Sequence, residues 1–148
     1  MVNIGEFITP ALSNTLSAFG IEVKEKGKVK EEFHILTKDI NVIVGIVGKN
    51  TGILTYEVDP LIAKTIFSLM APGMEFNLDD PMSISAISEM ANMVSGAIFT
   101  MVNNPDLDIT PPTSVIGEKI QAVVNTQEAE KFLFEISGGE LIVGFSIS

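Results

Sequence analysis

Apolar residues recur along this chain with two periods, and each period predicts a different kind of element. Between Asn3 and Phe19 they return every three or four positions, which predicts an amphipathic helix closing at Gly20, a residue suited to a left-handed C′ position. Pro10 leaves two starts open: either Asn3 caps a helix with Pro10 inside it, or Thr9 caps a shorter one with Pro10 at its first position. A lysine-rich stretch (Lys24, Lys26, Lys28, Lys30) interleaved with glutamates reads as a solvated link. Asn41–Val47 and Gly52–Val58 then read as strands, with Gly48-Lys49-Asn50-Thr51 as the turn between them. A short helix follows over Pro60–Met70. A second long helix is predicted over Pro81–Val102, where Asp80 stands at the cap and Pro81 at the first helical position. Leu107-Asp108-Ile109 extends again, and Pro111-Pro112 excludes helix there. The chain closes in a hairpin, Lys131–Ile136, a Ser137-Gly138-Gly139 turn, and Leu141–Ser148.

The two halves share one plan: long helix, extended link, β-hairpin. Ile43-Val44-Gly45-Ile46-Val47 answers Phe132-Leu133-Phe134-Glu135-Ile136. The pattern predicts an α/β fold, an α+β two-layer sandwich of pseudo-duplicated halves, with long helices packed on one face of a mixed or antiparallel sheet. At 148 residues the whole chain, 1–148, fits a single domain.

Composition narrows the chemistry. Nineteen acids face nine bases, all lysine, for a net charge of −10. Nucleic acid is thereby disfavoured as a ligand, and an arginine finger is ruled out. Cysteine is absent and His34 is the one histidine, so there is no thiol nucleophile and no two-histidine metal site. No apolar run approaches the ~20 residues that span a bilayer, and the first residues lack the basic start of a signal peptide. A cytoplasmic protein that avoids membranes is the expectation. Only 19% of residues are charged, which points to surface covered by a partner or a second copy.

The second long helix is the informative stretch. Ile84, Ile87, Ala91, Val94, Ile98 and Met101 form an apolar stripe, and Ser85, Glu89, Asn92 and Gly96 fall on the opposite side. A solvated helix face carries lysines and glutamates. From Pro81 to Val102 there is no lysine, and Glu89 is the only charge. Asn92 and Gly96 each weaken a helix interior, Gly96 by up to ~1 kcal/mol relative to alanine. Small residues beside one acid and one amide leave room for another molecule, and Met93 and Phe99, taken as exposed, suit a protein contact.

Ser85-x-x-x-Glu89-x-x-Asn92, followed by Ser95-Gly96 and by Pro111-Pro112 nineteen and twenty residues after Asn92, resembles the signature of the CheC/CheX/FliY chemotaxis phosphatases. Gly20-Ile21-Glu22, the hairpin Val42–Tyr56 and Gly73-Met74-Glu75-Phe76-Asn77 extend the likeness over most of the chain up to about Gly117. The first helix carries Thr9, not Asn, three after Glu6, so the chain resembles the one-site CheX-type members. The resemblance implies a homodimer that hydrolyses the aspartyl phosphate of a phosphorylated CheY-like response regulator. It implies catalytic roles for Glu89 and Asn92, no metal site in this chain, no cofactor of its own, and Mg²⁺ carried by the partner.

The residues suit that chemistry. An acyl phosphate is already activated, so what remains is to place a water in line with the breaking bond. The Asn92 carboxamide can accept from the water and donate to a phosphoryl oxygen. Glu89 would be held off the phosphate by pairing with the regulator's active-site lysine. Ser85, Met93, Gly96 and Phe99 are the candidate partner-binding positions, Ser85 for orientation and Gly96 for clearance. Two other readings stay open: a non-catalytic CheX-like module that binds a receiver domain or motor component, and an obligate dimeric scaffold. Of the remaining features, Asp79-Asp80 reads as a helix cap, and His34 as an edge-strand or solvent-facing residue. The glycines at 45, 48 and 52 read as bulges or close backbone approaches. Ile43–Val47 is either a dimer edge or a buried central strand.

Overall fold

The computed structural model describes residues 3–118 and 120–148. Twelve elements follow in chain order: α1 (Gly5–Ser17), β1 (Lys24–Glu31), β2 (His34–Leu36), β3 (Ile40–Gly48), β4 (Gly52–Val58), α2 (Pro60–Met70), α3 (Pro81–Val102), β5 (Leu107–Ile109), β6 (Thr113–Ile116), β7 (Ala122–Asn125), β8 (Ala129–Ile136) and β9 (Gly139–Ile147). Seven strands form one antiparallel sheet in the order β1-β8-β9-β4-β3-β5, with β6 also on β3, and β2 and β7 form a separate two-stranded ribbon.

Local chemistry accounts for the helix ends. The longer helix forms, with Pro10 inside it, but Ile4 and not Asn3 stands at the cap; the Asn3 side chain accepts from the Gly5 amide at 3.0 Å. Its end is closed by Gly20 at φ +79°, with the Ile21 amide reaching back to the Leu16 carbonyl and the Gly20 amide to that of Ser17. This is the paired-bond cap that a left-handed C′ glycine permits. Asp80 caps α3 by accepting from the Met82 amide at 3.0 Å, and Asn103, at φ 51°, ends it.

The hairpins β3–β4 and β8–β9 lie side by side, joined through β4 and β9. Gly52 and Gly48 mark close approaches: a Cβ would overlap the Ser146 carbonyl oxygen at the one and the Asp106 carbonyl oxygen at the other. The duplicated plan is present but interlocked. β1, which follows α1, pairs with β8 of the second hairpin, while β5 and β6, which follow α3, pair with β3 of the first. α1 packs on α3 and β8, and α3 packs on β3, β5 and β6. Alternate residues such as Val42, Val44, Leu54, Tyr56, Phe134 and Val143 meet the buried helix faces in one apolar core.

Two expectations are corrected here, and one open choice is settled. The lysine stretch is the strand β1 at the end of the sheet; its lysines stand in solvent, a common way to blunt an edge. Of the two readings of Ile43–Val47, the central strand holds, because β3 has β4 on one side and β5 and β6 on the other. His34 belongs to a strand but is fully buried. The β2–β7 ribbon covers the sheet face turned away from the helices, and the His34 ring rests there, Nδ1 3.0 Å from Ser146 Oγ and Nε2 2.7 Å from Thr55 Oγ1. Lys131 anchors the same layer. It donates to the Ile35 carbonyl and pairs with Glu57 at 2.8 Å and Glu31 at 3.0 Å. Burial, reinforced by the Lys131 charge, lowers the His34 pKa to about 4, so the ring is neutral at neutral pH. Among the described residues, no helix is long and apolar enough to cross a membrane.

Candidate functional site

The rotation of α3 about its axis decides which side chains it offers. Its buried side is Ser83, Ile87, Met90, Ala91, Val94, Ser95 and Ile98. The stripe therefore sits slightly to one side of the one expected: Met90 and Ser95 enter the core, while Ile84 and Met101 lie at its margin. Ser95 explains how a hydroxyl is tolerated inside. It donates to the Ala91 carbonyl at 2.7 Å and, with that hydrogen committed, accepts from the Tyr56 hydroxyl at 2.8 Å. Burial holds the Tyr56 phenol well above its ordinary pKa, so it remains a neutral donor. The bond ties the middle of α3 to the central strand β4.

With that side anchored, Ser85, Glu89, Asn92 and Met93 are exposed. Glu89 and Asn92, three residues apart, line one open cleft of about 690 Å³. Pro81, Ile84, Ser85 and Ser88 of the same helix complete that wall. Leu78 and Asp79 from the preceding turn, together with Pro112 and Ser114 from beyond β5, supply the rest. Among the described residues the lining holds two carboxylates, Asp79 and Glu89, and no lysine, which makes the cleft acidic. Among the described residues no group of three or more carboxylates and imidazoles is placed to hold a metal ion.

Each candidate position can be placed. Glu89, Asn92 and Ser85 share the cleft. Met93 stands beside it with 38% of its surface exposed. Gly96, one turn beyond Asn92, faces open space: beyond its chain neighbours and the adjoining backbone of its own helix, a Cβ there would meet no atom of the described residues within 4 Å. Phe99 is a correction. It is half-buried and packs against the core, because helical spacing turns it toward the sheet margin. Asp79, Ser88 and Ser114 join the cleft without having been singled out as site residues. The proline spacing after Asn92 was the signal for Ser114, two residues past Pro112. Asp79 was marked in the sequence together with Asp80, as part of a helix cap and not as a site residue.

The helices α1, α2 and α3 pack on one face of the antiparallel sheet, and α3 exposes an acid and an amide side by side. The family model described as "Chemotaxis phosphatase CheX" matches residues 40–136, from the start of β3 to the end of β8. The CheY-P phosphatase CheX of Thermotoga maritima is 35% identical over 105 residues, covering 69% of this chain and 67% of that protein. The chain belongs to the CheX family. Solved structures share the fold: a chemotaxis protein from Desulfovibrio vulgaris Hildenborough has a TM-score of 0.87 at 19% identity, covering 98% of this chain and 96% of that one. The CheX–CheY–BeF3–Mg complex from Borrelia burgdorferi has a TM-score of 0.81 at 22% identity, covering 99% of each chain.

Proposed function

We propose that this protein is a phosphatase acting on the aspartyl phosphate of a CheY-like response regulator, and that Asn92 and Glu89 carry its site. Family membership and the name of the Thermotoga relative support the reaction class. The observation that carries the residue assignment is the shared cleft: Glu89 and Asn92 are both exposed in it, and Gly96 one turn on has open space above it.

In this reading water attacks phosphorus, the bond to the aspartyl oxygen breaks, and the products are a free carboxylate and inorganic phosphate. Asn92 Oδ1 accepts from the attacking water while its Nδ2 donates toward a phosphoryl oxygen. A neutral amide does this without adding repulsion. Glu89 pairs with the regulator's active-site lysine, which docks α3 and keeps the carboxylate away from the phosphate. Mg²⁺ belongs to the regulator and neutralises charge on the phosphoryl oxygens; this chain contributes positioning. The Borrelia protein forms a complex with CheY in the presence of BeF3 and Mg. A homodimer working in the cytoplasm is part of the same proposal. The 19% charged content supports the dimer, and light scattering would read a mass of twice 15.9 kDa.

The test is phosphate release from a CheY-like receiver phosphorylated by a small-molecule donor with Mg²⁺. Asn92→Ala should lower turnover by about 100-fold or more with receiver binding retained, the scale expected when one positioning donor is lost. Glu89→Ala should lose both docking and turnover. A wild-type protein that binds the cognate receiver without accelerating release would instead be a docking module, and full activity in Glu89→Ala would overturn that assignment.

A further inference from the structure

The segment that carries Pro112 is held at two points and then tied to the motif helix. Before the prolines, Thr110 grips β3. Its amide donates to the Gly45 carbonyl at 2.9 Å, and its Oγ1 accepts from the Gly45 amide at 2.8 Å. That approach requires glycine, since a Cβ at Gly45 would stand 2.8 Å from Thr110 Oγ1 and 3.1 Å from its Cγ2. After the prolines, β6 pairs with β3, Thr113 opposite Ile43 and Ser114 opposite Val42. Pro111 and Pro112 have no amide hydrogen to join the ladder, so the chain leaves β3 between these two anchors. Pro112 and Ser114 then line the cleft together with α3. Ser114 Oγ lies 2.7 Å from Ser88 Oγ, and both residues are half-buried. Ser88 immediately precedes Glu89 and stands one helical turn before Asn92, so this bond acts on the turn that carries the site.

We infer that Ser114 is a positioning residue of the proposed phosphatase site. Through Ser88 it sets how far α3 stands from the Pro112 wall, and so the space in which the water beside Asn92 is held. The inference rests on the phosphatase reading given above. A pair of hydroxyls suits the task because neither carries charge that would repel a phosphoryl group. The proline ring suits the wall because it offers no amide donor to compete for that water. Loss of the bond leaves both anchors on β3 in place and loosens only the distance across the cleft.

The test compares Ser114→Ala, Ser114→Thr, Ser88→Ala, the double variant Ser88→Ala with Ser114→Ala, and Asn92→Ala with the wild type. Turnover is measured on a small-molecule-phosphorylated CheY-like receiver, and affinity on the same receiver loaded with beryllofluoride and Mg²⁺. Ser114→Ala should lower kcat roughly tenfold, the scale of one lost neutral hydrogen bond at a reacting geometry, with Kd within about twofold. Ser114→Thr should restore most of it. Ser88→Ala should match Ser114→Ala, and the double variant should be no worse than either. Ser88→Ala also serves if Ser114→Ala does not fold. Unchanged kcat in both alanine variants overturns the inference, as does a loss that appears in Kd alone or a threonine variant no better than alanine. If the wild type turns over, Asn92→Ala does not, and both serine variants match the wild type, only this inference fails. If the wild type binds the receiver without turnover, the phosphatase reading falls and the inference with it.

Discussion

Replacing Gly96 by alanine should make the protein more stable and less active. The residue lies inside α3, where glycine is less favourable than alanine by about 1 kcal/mol. That cost is normally accepted when a neighbour needs the space, yet a Cβ at Gly96 would meet no described atom within 4 Å beyond its own stretch of helix. The backbone there is helical, so alanine adopts it without strain. Gly96→Ala should thus gain about 1 kcal/mol, which for a chain of this length raises the melting temperature by ~3 °C. Beside Asn92, however, the methyl group occupies the space proposed for the regulator's backbone. An extra methyl in a close-packed contact costs about 1–3 kcal/mol, or roughly 5- to 150-fold in receiver affinity. Thermal melts of the free protein and titration with a beryllofluoride-loaded CheY-like receiver measure the two effects separately. A destabilised variant would mean that α3 needs the glycine for this chain's own packing. A stabilised variant that binds and turns over like the wild type would refute the clearance argument.

Two further predictions concern the buried polar layer under the β2–β7 ribbon. The His34 ring has a folded pKa of about 4 against an ordinary 6.5, so between those values the unfolded chain binds more protons. Stability contributed by the neutral ring is complete above pH 6.5 and is lost as pH falls toward 4, by up to about 3 kcal/mol in all. Urea midpoints measured from pH 7 to 4.5 should fall more steeply in the wild type than in His34→Gln, and equal slopes would refute the assignment. Lys131→Met should cost about 3–5 kcal/mol in denaturant unfolding, since it strands the fully buried Glu57 carboxylate. Adding Glu57→Leu should recover much of that loss; a double variant no better than the single would mean that the pair does not act as a unit.

The sequence alone determined the elements and the chemistry of one helix face. α2, α3 and β4 have the predicted bounds because their signals are local: Asp80 and Pro81 at a helix start, the glycine-bearing turn before Gly52, and the 3.6-residue and two-residue periods. The pairing of Glu89 with Asn92 was legible for the same reason, since helical geometry alone puts them on one face. Tertiary structure alone decided what those elements meet. That β1 is a strand follows from pairing with β8 about a hundred residues later, a partner no local pattern names. His34 is buried because Ser146, 112 residues away, and Thr55 wait on the sheet face that the ribbon covers. The far side of the cleft depends on the same kind of contact, Ser88 on the helix meeting Ser114 on β6, 26 residues apart. Backbone preference and periodicity act over a few residues and are written in order along the chain. Burial and hydrogen-bond satisfaction are settled by whichever surfaces the closed sheet brings together, and that required the fold.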